Sequence, residues 1–345
     1  MSIPVTTNSG AERFLSRLNN NAHAVSPRAL VIDATGSTLF DSGESTLPLA
    51  LTGVTNLFTL AMVLREVDRG ALSLDTPLAD ILPADTVRGL CVVGKEDHSF
   101  SITIEHLLSH QSGIVDYMRP GRHRLRSLVQ QFLDHDRSWS LDQALEIAKQ
   151  FPGMSKPGEG SRAHYSSTNY LLLGAVLHDT TGMPFDELID LRVVRSLGLA
   201  NTYVYGPDHY EKYFTLSPVH LGTRVVRIPQ ALASSGADGA IVSTAHDALK
   251  FLRAFWRGEL FQASWIPRLS ATTTASSTSP RIGLGVMVAP PRLGRASVVG
   301  HSGISGAAIA VDTRSETFAF LSNFQWSALN TSFDNVVGLL RATSR

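Results

Sequence analysis

Residues 51–59 of the chain read Leu51-Thr52-Gly53-Val54-Thr55-Asn56-Leu57-Phe58-Thr59. From Val54 to Val67 the chain is apolar on nearly every side, and this pattern predicts a helix that is buried all round. Gly70 follows as a natural stop, because glycine readily adopts the left-handed backbone conformation that ends a helix. The stretch therefore opens a long buried helix near the start of the chain.

Four further motifs follow this stretch. They are Ile102-Thr103-Ile104-Glu105-His106-Leu107-Leu108-Ser109-His110-Gln111-Ser112-Gly113-Ile114, Tyr165-Ser166-Ser167, Gly236-Ala237-Asp238-Gly239-Ala240-Ile241-Val242-Ser243-Thr244 and Gly300-His301-Ser302-Gly303. In this order and spacing, the five motifs resemble those of serine β-lactamases and penicillin-binding proteins, over roughly residues 25 to 340. Class C β-lactamases, related esterases and D-aminopeptidases are the members that the chain resembles most.

The first motif departs from the pattern of the family that the chain resembles. That pattern is S-x-x-K, whose serine forms an acyl-enzyme. This chain has Gly53 where the serine would stand and Asn56 where the lysine would stand. Glycine has no side chain, and an asparagine amide neither carries charge nor accepts a proton at neutral pH. We therefore expect no acyl transfer by the usual route, and extra room for a ligand against the helix N-terminus, where the dipole favours negative charge.

The resemblance also implies a fold. It is an α/β (α+β) fold of the β-lactamase/transpeptidase type, with an antiparallel sheet of the five-stranded type. N- and C-terminal helices would flank this sheet, and a helical segment would be inserted into it. We expect residues 1–72 and 235–345 to form the sheet domain and residues 73–234 a mostly helical domain, with the active-site cleft between them.

Sequence periodicity predicts individual elements within this frame. The predicted helices cover residues 11–20, 54–67, 141–150, 170–181 and 333–343. The predicted strands cover residues 29–32, 38–40, 282–288, 297–299, 307–311 and 318–323. The Ser/Thr-rich segment from Ala271 to Pro280 predicts a surface loop.

Composition narrows the classes of function. The chain has 345 residues, of which 43% are hydrophobic, and 30 basic residues balance 30 acidic ones. This balance gives no sign of a nucleic-acid or anionic-membrane partner, so we expect a small-molecule substrate or ligand. The single Cys91 excludes an internal disulfide and fits a reducing compartment. The first residues lack the features of a signal peptide, and no apolar run is long enough to span a bilayer, so we expect a cytoplasmic protein.

Neither a metal nor an organic cofactor is expected. The 12 histidines show no ligand spacing such as HExxH, and the chain has no glycine-rich phosphate loop or dinucleotide fingerprint. The resemblance implies structural roles for His106 and His110, and we expect His164 to point away from the site because it adjoins Tyr165. The oligomeric state stays open.

Tyr165 and His301 are the candidate catalytic residues. Without a neighbouring lysine, Tyr165 should remain a neutral phenol, which suits it as a hydrogen-bond donor or general acid. His301 occupies the third motif, and its ordinary pKa near 6.5 suits proton transfer at neutral pH. The alternatives are a tyrosine that only packs and a histidine that is only structural.

Seven further residues are candidates for substrate binding. Asn56 offers a donor and an acceptor, Ser167 offers a hydroxyl to a ligand amide, and Asp238 offers a carboxylate at the rim of the pocket. The remaining candidates are Gly53, which makes room, Ser302 and Gly303 in the third motif, and Tyr117 in the loop after Gly113.

Three functions compete on these grounds. The first is a non-covalent acid–base enzyme, of cyclase, isomerase or lyase type, that acts on a small specialised metabolite. The second is a pseudoenzyme that binds a small molecule or a protein partner without turnover. The third is a residual esterase or amidase that uses Thr52, Thr55 or an activated water. Retention of both Tyr165 and His301 favours the first function over the second.

Overall fold

A seven-stranded antiparallel sheet lies at the centre of the fold, with the strand order β12-β13-β14-β15-β16-β1-β2. The computed structural model describes residues 8–20, 25–118, 127–271, 274–276, 280–291, 296–326 and 329–344. The strands are β1 (Arg28–Ile32), β2 (Thr38–Asp41), β3 (Leu49–Ala50), β4 (Val92–Val93), β5 (Glu96–Asp97), β6 (Arg162–Ala163), β7 (Tyr203–Val204), β8 (Val219–Leu221), β9 (Arg224–Val226), β10 (Ile241–Ser243), β11 (Ala275–Ser276), β12 (Arg281–Ile282), β13 (Met287–Ala289), β14 (Val298–Ser302), β15 (Ala307–Asp312) and β16 (Thr317–Ser322).

Fourteen α-helical segments accompany these strands within the described residues. They are α1 (Ser9–Asn19), α2 (Thr55–Asp68), α3 (Ala84–Val87), α4 (Ile104–Leu108), α5 (Leu128–Asp134), α6 (Leu141–Lys149), α7 (Ser167–Thr181), α8 (Phe185–Ile189), α9 (Arg195–Leu197), α10 (Pro229–Ser234), α11 (Gly236–Gly239), α12 (Ala245–Trp256), α13 (Trp265–Ala271) and α14 (Leu329–Thr343). Four 3-10 segments, Thr52–Val54, Leu78–Asp80, Ser99–Ser101 and Pro207–Thr215, and one π segment, Asp190–Val194, complete the helical structure. No helix in this described part is long and apolar enough to cross a membrane.

The two faces of the main sheet are covered by different helices. Side chains alternate between the faces of a strand, and β1 illustrates this alternation. Leu30 packs in the core that contains α2 and α12, whereas Val31 packs in the core that contains α1 and α14. The terminal helices therefore pack together on one face, as the predicted frame requires, and the central helix lies on the other.

The predicted helices and five of the six predicted strands are confirmed, with a difference of no more than four residues at either end. The predicted strand over residues 282–288 is wrong, because the backbone of Gly285 is left-handed, with φ of 71°, and the chain reverses there. Two short strands, β12 and β13, result, and the sheet contains seven strands among the residues that the structure describes, instead of five. The predicted loop over residues 271–280 contains β11, which pairs with β6, while residues 272–273 and 277–279 lie outside the described part.

The central helix α2 is buried on nearly all sides, as its apolar sequence predicts. Phe58 of α2 stacks on Phe251 of α12 with 3.6 Å between ring centroids and 5° between the ring planes. The helices of the middle segment, from α3 to α10, lie between residues 84 and 234. The division into domains at residues 72 and 235 stays a prediction.

We expect Phe58→Leu to lower the free energy of unfolding by about 1–2 kcal/mol, because it removes a stacked ring from a fully buried position. Urea unfolding followed by circular dichroism measures this loss. Phe100→Leu is the matched control, since Phe100 is 40% exposed, and it should change stability by less than about 0.5 kcal/mol. Equal losses of stability in both variants would show that the stacked pair Phe58 and Phe251 stabilises the fold no more than an exposed ring does.

Candidate active site

The start of the central helix is a tight turn that is held from the opposite side by the segment after β14. The backbone of Thr52 is left-handed, with φ of 44°, and residues Thr52–Val54 form a 3-10 turn before α2. Thr52 Oγ1 lies 3.1 Å from Ser305 Oγ and accepts a hydrogen bond from the Ser305 N–H at 3.3 Å. A Cβ atom on Gly303 would overlap Thr52 Oγ1 and the Leu51 carbonyl oxygen. Gly303 is therefore needed for this close approach, rather than for contact with a ligand.

Three of the predicted site residues meet behind this turn. Asn56, in the first turn of α2, is fully buried, and its Nδ2 donates to Tyr165 Oη at 3.1 Å. The same nitrogen lies 3.5 Å from His301 Nε2, and His301 Nδ1 lies 3.0 Å from the carbonyl oxygen of Ser302. His301 Nδ1 also lies 3.0 Å from the Ser302 N–H, so it meets both backbone groups of Ser302. Of the two neutral tautomers, the Nδ1–H form donates to the carbonyl and leaves Nε2 to accept from Asn56. Both amide hydrogens of Asn56 are used in this way.

The amide oxygen of Asn56 has no hydrogen-bond partner in the described part of the chain. A buried polar atom without a partner is costly and usually marks strain, a functional role or a bound molecule. Oδ1 is therefore an unused acceptor beside the Tyr165 hydroxyl.

Both candidate catalytic residues are neutral at neutral pH. Burial raises the pKa of Tyr165 well above its ordinary value, with a smaller contribution from Asp238, and the hydrogen bond from Asn56 opposes the rise. Burial lowers the pKa of His301 to about 4. The prediction that Tyr165 remains a phenol agrees with this direction, whereas His301 is far less basic than its ordinary pKa near 6.5 implies.

The lowered pKa of His301 makes stability depend on pH. The unfolded chain takes up a proton on this residue below about pH 6.5, and the folded chain does so only near pH 4, so stability is full above pH 6.5 and declines as the pH falls through this window. Between pH 7.5 and 5 we expect the natural chain to lose about 2 kcal/mol more than His301→Gln does. Urea unfolding at the two pH values measures the difference. Parallel losses in the two proteins would show that His301 is not buried in its neutral form.

A cavity of about 180 Å³ lies over Gly53, on the outer side of Tyr165. Of the nine predicted site residues, Gly53, Tyr165, Ser167 and Asp238 line it. The other five lie outside its lining, and they are Asn56, Tyr117, His301, Ser302 and Gly303. His301 is only 2% exposed, so it reaches the cavity through Asn56 and Tyr165 rather than directly.

One wall of the cavity is acidic. Asp238 was expected at the rim but is 5% exposed, and Tyr117 Oη donates to Asp238 Oδ2 at 3.3 Å. Burial, and then the nearby Asp116, raise the pKa of Asp238 well above its ordinary value, against the hydrogen bonds from Ser167 and Tyr117. Asp116 lines the same cavity. Two carboxyl groups thus face one small space.

His110 supports Tyr165 from behind, as the expected structural role requires. Its ring centroid is 4.3 Å from that of Tyr165. Its Nδ1 accepts from the Ser166 N–H at 3.1 Å and lies 3.1 Å from Asn169 Nδ2. Burial, with a smaller effect of His301, lowers the pKa of His110 to about 3, so its ring is neutral and packs against the phenol.

Sequence reasoning missed the aromatic wall of the cavity, which consists of Phe132, Trp139 and Trp326. Phe132 stacks near Trp139 with centroids 5.6 Å apart, and Trp326 meets Phe132 edge-on at 6.0 Å. Phe132 lies in α5, Trp139 lies between α5 and α6, and Trp326 follows β16, so none of the three lies in the five motifs. Sequence carries no signal that brings them together.

A second, larger cavity of about 280 Å³ adjoins the first. It shares Thr52, Ile228, Leu232 and Trp326 with the first cavity. Its other walls are mainly apolar and include Phe214, which is 73% exposed. Among the residues that the structure describes, no group of three or more His, Cys, Asp or Glu side chains is placed to hold a metal ion.

The fold and the order of the motifs define a protein of the β-lactamase class, and sequence comparison gives the family. The family model for Beta-lactamase matches residues 51–331, so the chain belongs to the beta-lactamase family. The chain is 27% identical over 240 residues to Penicillin-binding protein 4 of Amycolatopsis lactamdurans, a match of 68% of this chain and 55% of that protein. It is 25% identical over 300 residues to Penicillin-binding protein 4* of Bacillus subtilis, a match of 79% of this chain and 60% of that protein.

Solved structures agree on the fold. The D-stereospecific amidohydrolase from Streptomyces sp. superposes with a TM-score of 0.76 and 24% identity, over 96% of this chain and 97% of that one. The D-amino acid amidase from Ochrobactrum anthropi SV3 in complex with L-phenylalanine gives a TM-score of 0.76 and 18% identity, over 97% and 99%. The chain therefore has the fold of a family of hydrolases, and it spans between half and two thirds of the length of the two curated relatives above.

Proposed function

We propose that this chain is a non-covalent acid–base enzyme that acts on a small specialised metabolite in the cavity over Gly53. The observation that carries the proposal is the hydrogen bond from Asn56 Nδ2 to Tyr165 Oη, of 3.1 Å. In this bond the phenol oxygen is the acceptor, so the Tyr165 proton remains available to a ligand. The raised pKa of Tyr165 keeps that proton in place at neutral pH.

A phenol in this position suits a general acid. It can donate to a carbonyl or hydroxyl oxygen of the ligand as negative charge develops there, which stabilises the transition state of a cyclisation, isomerisation or elimination. The unpartnered Asn56 Oδ1 can help to orient the same group. His301 acts as a positioning residue in this proposal, because its contact is with Asn56.

The carboxyl groups of Asp116 and Asp238 are the candidate general bases that would complement Tyr165 as the general acid. When one of the two is ionised, it can accept a proton from a ligand bound against Tyr165, since all three groups line one cavity. An acid and a base in one small cavity allow a proton to leave one atom of the ligand while another atom receives one. Positioning of the ligand between them contributes further to the rate.

Three observations favour this proposal over a residual esterase or amidase. Gly53 has no hydroxyl group to offer at the start of α2. Thr55 is fully buried, and its Oγ1 accepts a hydrogen bond from the Ile241 N–H at 3.1 Å. Thr52 lines the cavity, but its Oγ1 is paired with Ser305, and the cavity lining within the described residues has no histidine or lysine to act as its base.

Covalent labelling tests the proposal. We expect no adduct by mass spectrometry when the purified chain is incubated with a fluorophosphonate or a fluorescent penicillin, and no hydrolysis of a generic ester. A stoichiometric adduct would overturn the proposal, and the labelled residue would identify the nucleophile. Intermediates of specialised-metabolite biosynthesis are then screened for consumption by the chain. If the chain binds some of them and converts none, the result would favour a pseudoenzyme.

A further inference from the structure

We propose that the cavity over Gly53 binds a flat aromatic ketone, whose carbonyl oxygen is held between two neutral hydrogen-bond donors, Tyr165 and Asp238. The proposal names the substrate class of the site described above, and it rests on the proposed function for the location of that site and for its acid–base chemistry. The surroundings of the two donors, the aromatic walls and an unpartnered indole carry it.

The carboxyl group of Asp238 is the first donor. Asp238 is only 5% exposed, and its partners in the described part of the chain are the hydroxyl groups of Tyr117, at 3.3 Å, and Ser167. A buried carboxyl group that is bonded to hydroxyl groups keeps its proton, because its charged form loses hydration and gains no counter-charge. Burial, and then Asp116, accordingly raise the pKa of Asp238 well above its ordinary value. Asp238 therefore offers an O–H to the cavity that it lines.

The phenol of Tyr165 is the second donor. It lines the same cavity, and its oxygen accepts from Asn56 Nδ2 at 3.1 Å, so its own proton remains available. Charge on Asp238 would raise the pKa of Tyr165, which shows that the two groups lie near each other. Two O–H donors that face one small space suit a single acceptor with two lone pairs, and a carbonyl oxygen is such an acceptor. An ammonium group has no lone pair to accept either proton.

The aromatic walls suit a flat ring beside that carbonyl. Phe132 and Trp139 lie within 21° of parallel with centroids 5.6 Å apart, and Trp326 meets Phe132 edge-on at 6.0 Å. All three line the cavity. Aromatic rings prefer offset-stacked or edge-to-face contacts with a further ring, and such pairs contribute about 0.5–1.5 kcal/mol beyond the burial of their area. A flat aromatic body gains these contacts, whereas a puckered saturated one does not.

Trp139 provides an observation that does not depend on the two O–H donors. It is only 7% exposed, and its Nε1–H has no hydrogen-bond partner in the part of the chain that the structure describes. A buried indole N–H usually has a partner, and its lack of one in a cavity wall indicates an acceptor on the bound molecule. The natural ligand therefore brings acceptors to this cavity rather than donors.

A ketone also suits a site without a nucleophile. Gly53 has no side chain to attack an ester or an amide and expel its leaving group. A ketone has no leaving group, and its enolisation needs only a base for the proton beside the carbonyl and donors for the oxygen. In this step the proton passes from carbon to the ionised carboxylate of Asp116, and the bonding electrons move to the oxygen. Tyr165 and Asp238 then stabilise the negative charge on that oxygen.

Equilibrium dialysis of the full chain against four matched probes tests the proposal. The probes are 2-acetylnaphthalene, its hydrocarbon isostere 2-isopropenylnaphthalene, its anionic isostere 2-naphthoate and its saturated analogue 2-acetyldecalin. We expect 2-acetylnaphthalene to bind about tenfold more tightly than each of the other three, which lack the acceptor, add a charge or lack the flat ring. Equal or tighter binding of any of the three, or no binding of the ketone from its saturated solution, would overturn the proposal.

Variants assign the binding to the two donors. Tyr165→Phe and Asp238→Leu should each weaken binding of 2-acetylnaphthalene about tenfold while affinity for 2-isopropenylnaphthalene stays unchanged. Asp238→Asn, which restores a neutral N–H donor, should recover most of the loss. The controls Tyr210→Phe and Asp85→Leu lie outside both cavities and should change neither affinity.

Urea unfolding establishes that each variant is folded. Unchanged affinity for the ketone in folded Tyr165→Phe and in either folded Asp238 variant without the expected rescue pattern would refute the proposal. A covalent adduct in the labelling experiment would overturn the proposed function but leave the preference for the ketone over its isosteres intact. Loss of that preference without an adduct would overturn the ketone alone, so the two failures are distinguishable.

Discussion

The double variant Gly53→Ser/Asn56→Lys is expected to form one covalent adduct per chain with a fluorophosphonate and with a fluorescent penicillin, whereas the natural chain forms none. Residue 53 lies in the 3-10 turn that starts the central helix and lines the cavity, so a serine there presents its hydroxyl to a ligand. A lysine at position 56 lies beside Tyr165 Oη, where the Asn56 amide now donates. Its positive charge lowers the pKa of the phenol, and the pair can then move the serine proton.

The single variants are the controls for this experiment. Gly53→Ser alone has a hydroxyl without a base, and Asn56→Lys alone has a base without a nucleophile, so each should react at least about a hundredfold more slowly than the double variant. Intact mass spectrometry over time gives the rates, and peptide mapping should place the adduct on residue 53. A folded double variant that forms no adduct would show that residues 53 and 56 do not occupy the positions of the family's serine and lysine.

The second large effect is expected at Tyr165. Once the substrate has been identified by screening small specialised metabolites and their biosynthetic intermediates, Tyr165→Phe should lower kcat by about 10²–10⁴, because it removes the proposed general acid and little volume. His301→Gln should lower kcat less, since His301 acts through Asn56. Steady-state kinetics that separate kcat from KM measure both effects.

Tyr210→Phe is the matched control for the loss of a tyrosine hydroxyl, because Tyr210 lines neither cavity. It should leave kcat and KM unchanged. Full activity of a folded Tyr165→Phe variant on the identified substrate would exclude Tyr165 as the acid. A rise in KM with unchanged kcat would assign it to binding alone.

Much of the fold could be predicted from sequence because its signals are local. The apolar run from Val54 to Val67 predicts the buried helix, and alternating apolar residues predict the main strands within a few residues. The hairpin between β12 and β13 was missed because the run that contains Gly283 and Gly285 is otherwise apolar and was interpreted as a single strand. Glycine is compatible with a strand and with a left-handed turn, and only the packing of the sheet decides between them.

The candidate site was predictable only where a motif carries it. Asn56, Tyr165 and His301 lie in three separate motifs, and the structure brings them together. The burial of individual site side chains was not predictable, because it depends on neighbours that are distant in sequence. His301, a candidate catalytic residue, lies buried behind Asn56, and Trp139 lies in no motif yet lines the cavity. The acid–base roles of Tyr165 and His301 stay predictions that the kinetic experiments decide.

The shared wall of the two cavities has a thermodynamic consequence. Both cavities are lined by the same four residues, Thr52, Ile228, Leu232 and Trp326, so ligands in the two cavities contact shared residues. If a molecule in the larger cavity changes the affinity of the smaller cavity for its ligand by some factor, the second ligand changes the affinity of the larger cavity by the same factor. Two fragments that fill the cavities separately are therefore coupled by a single free energy, whichever is added first. That free energy measures how strongly the part of a ligand in the larger cavity affects the binding of the part in the smaller cavity.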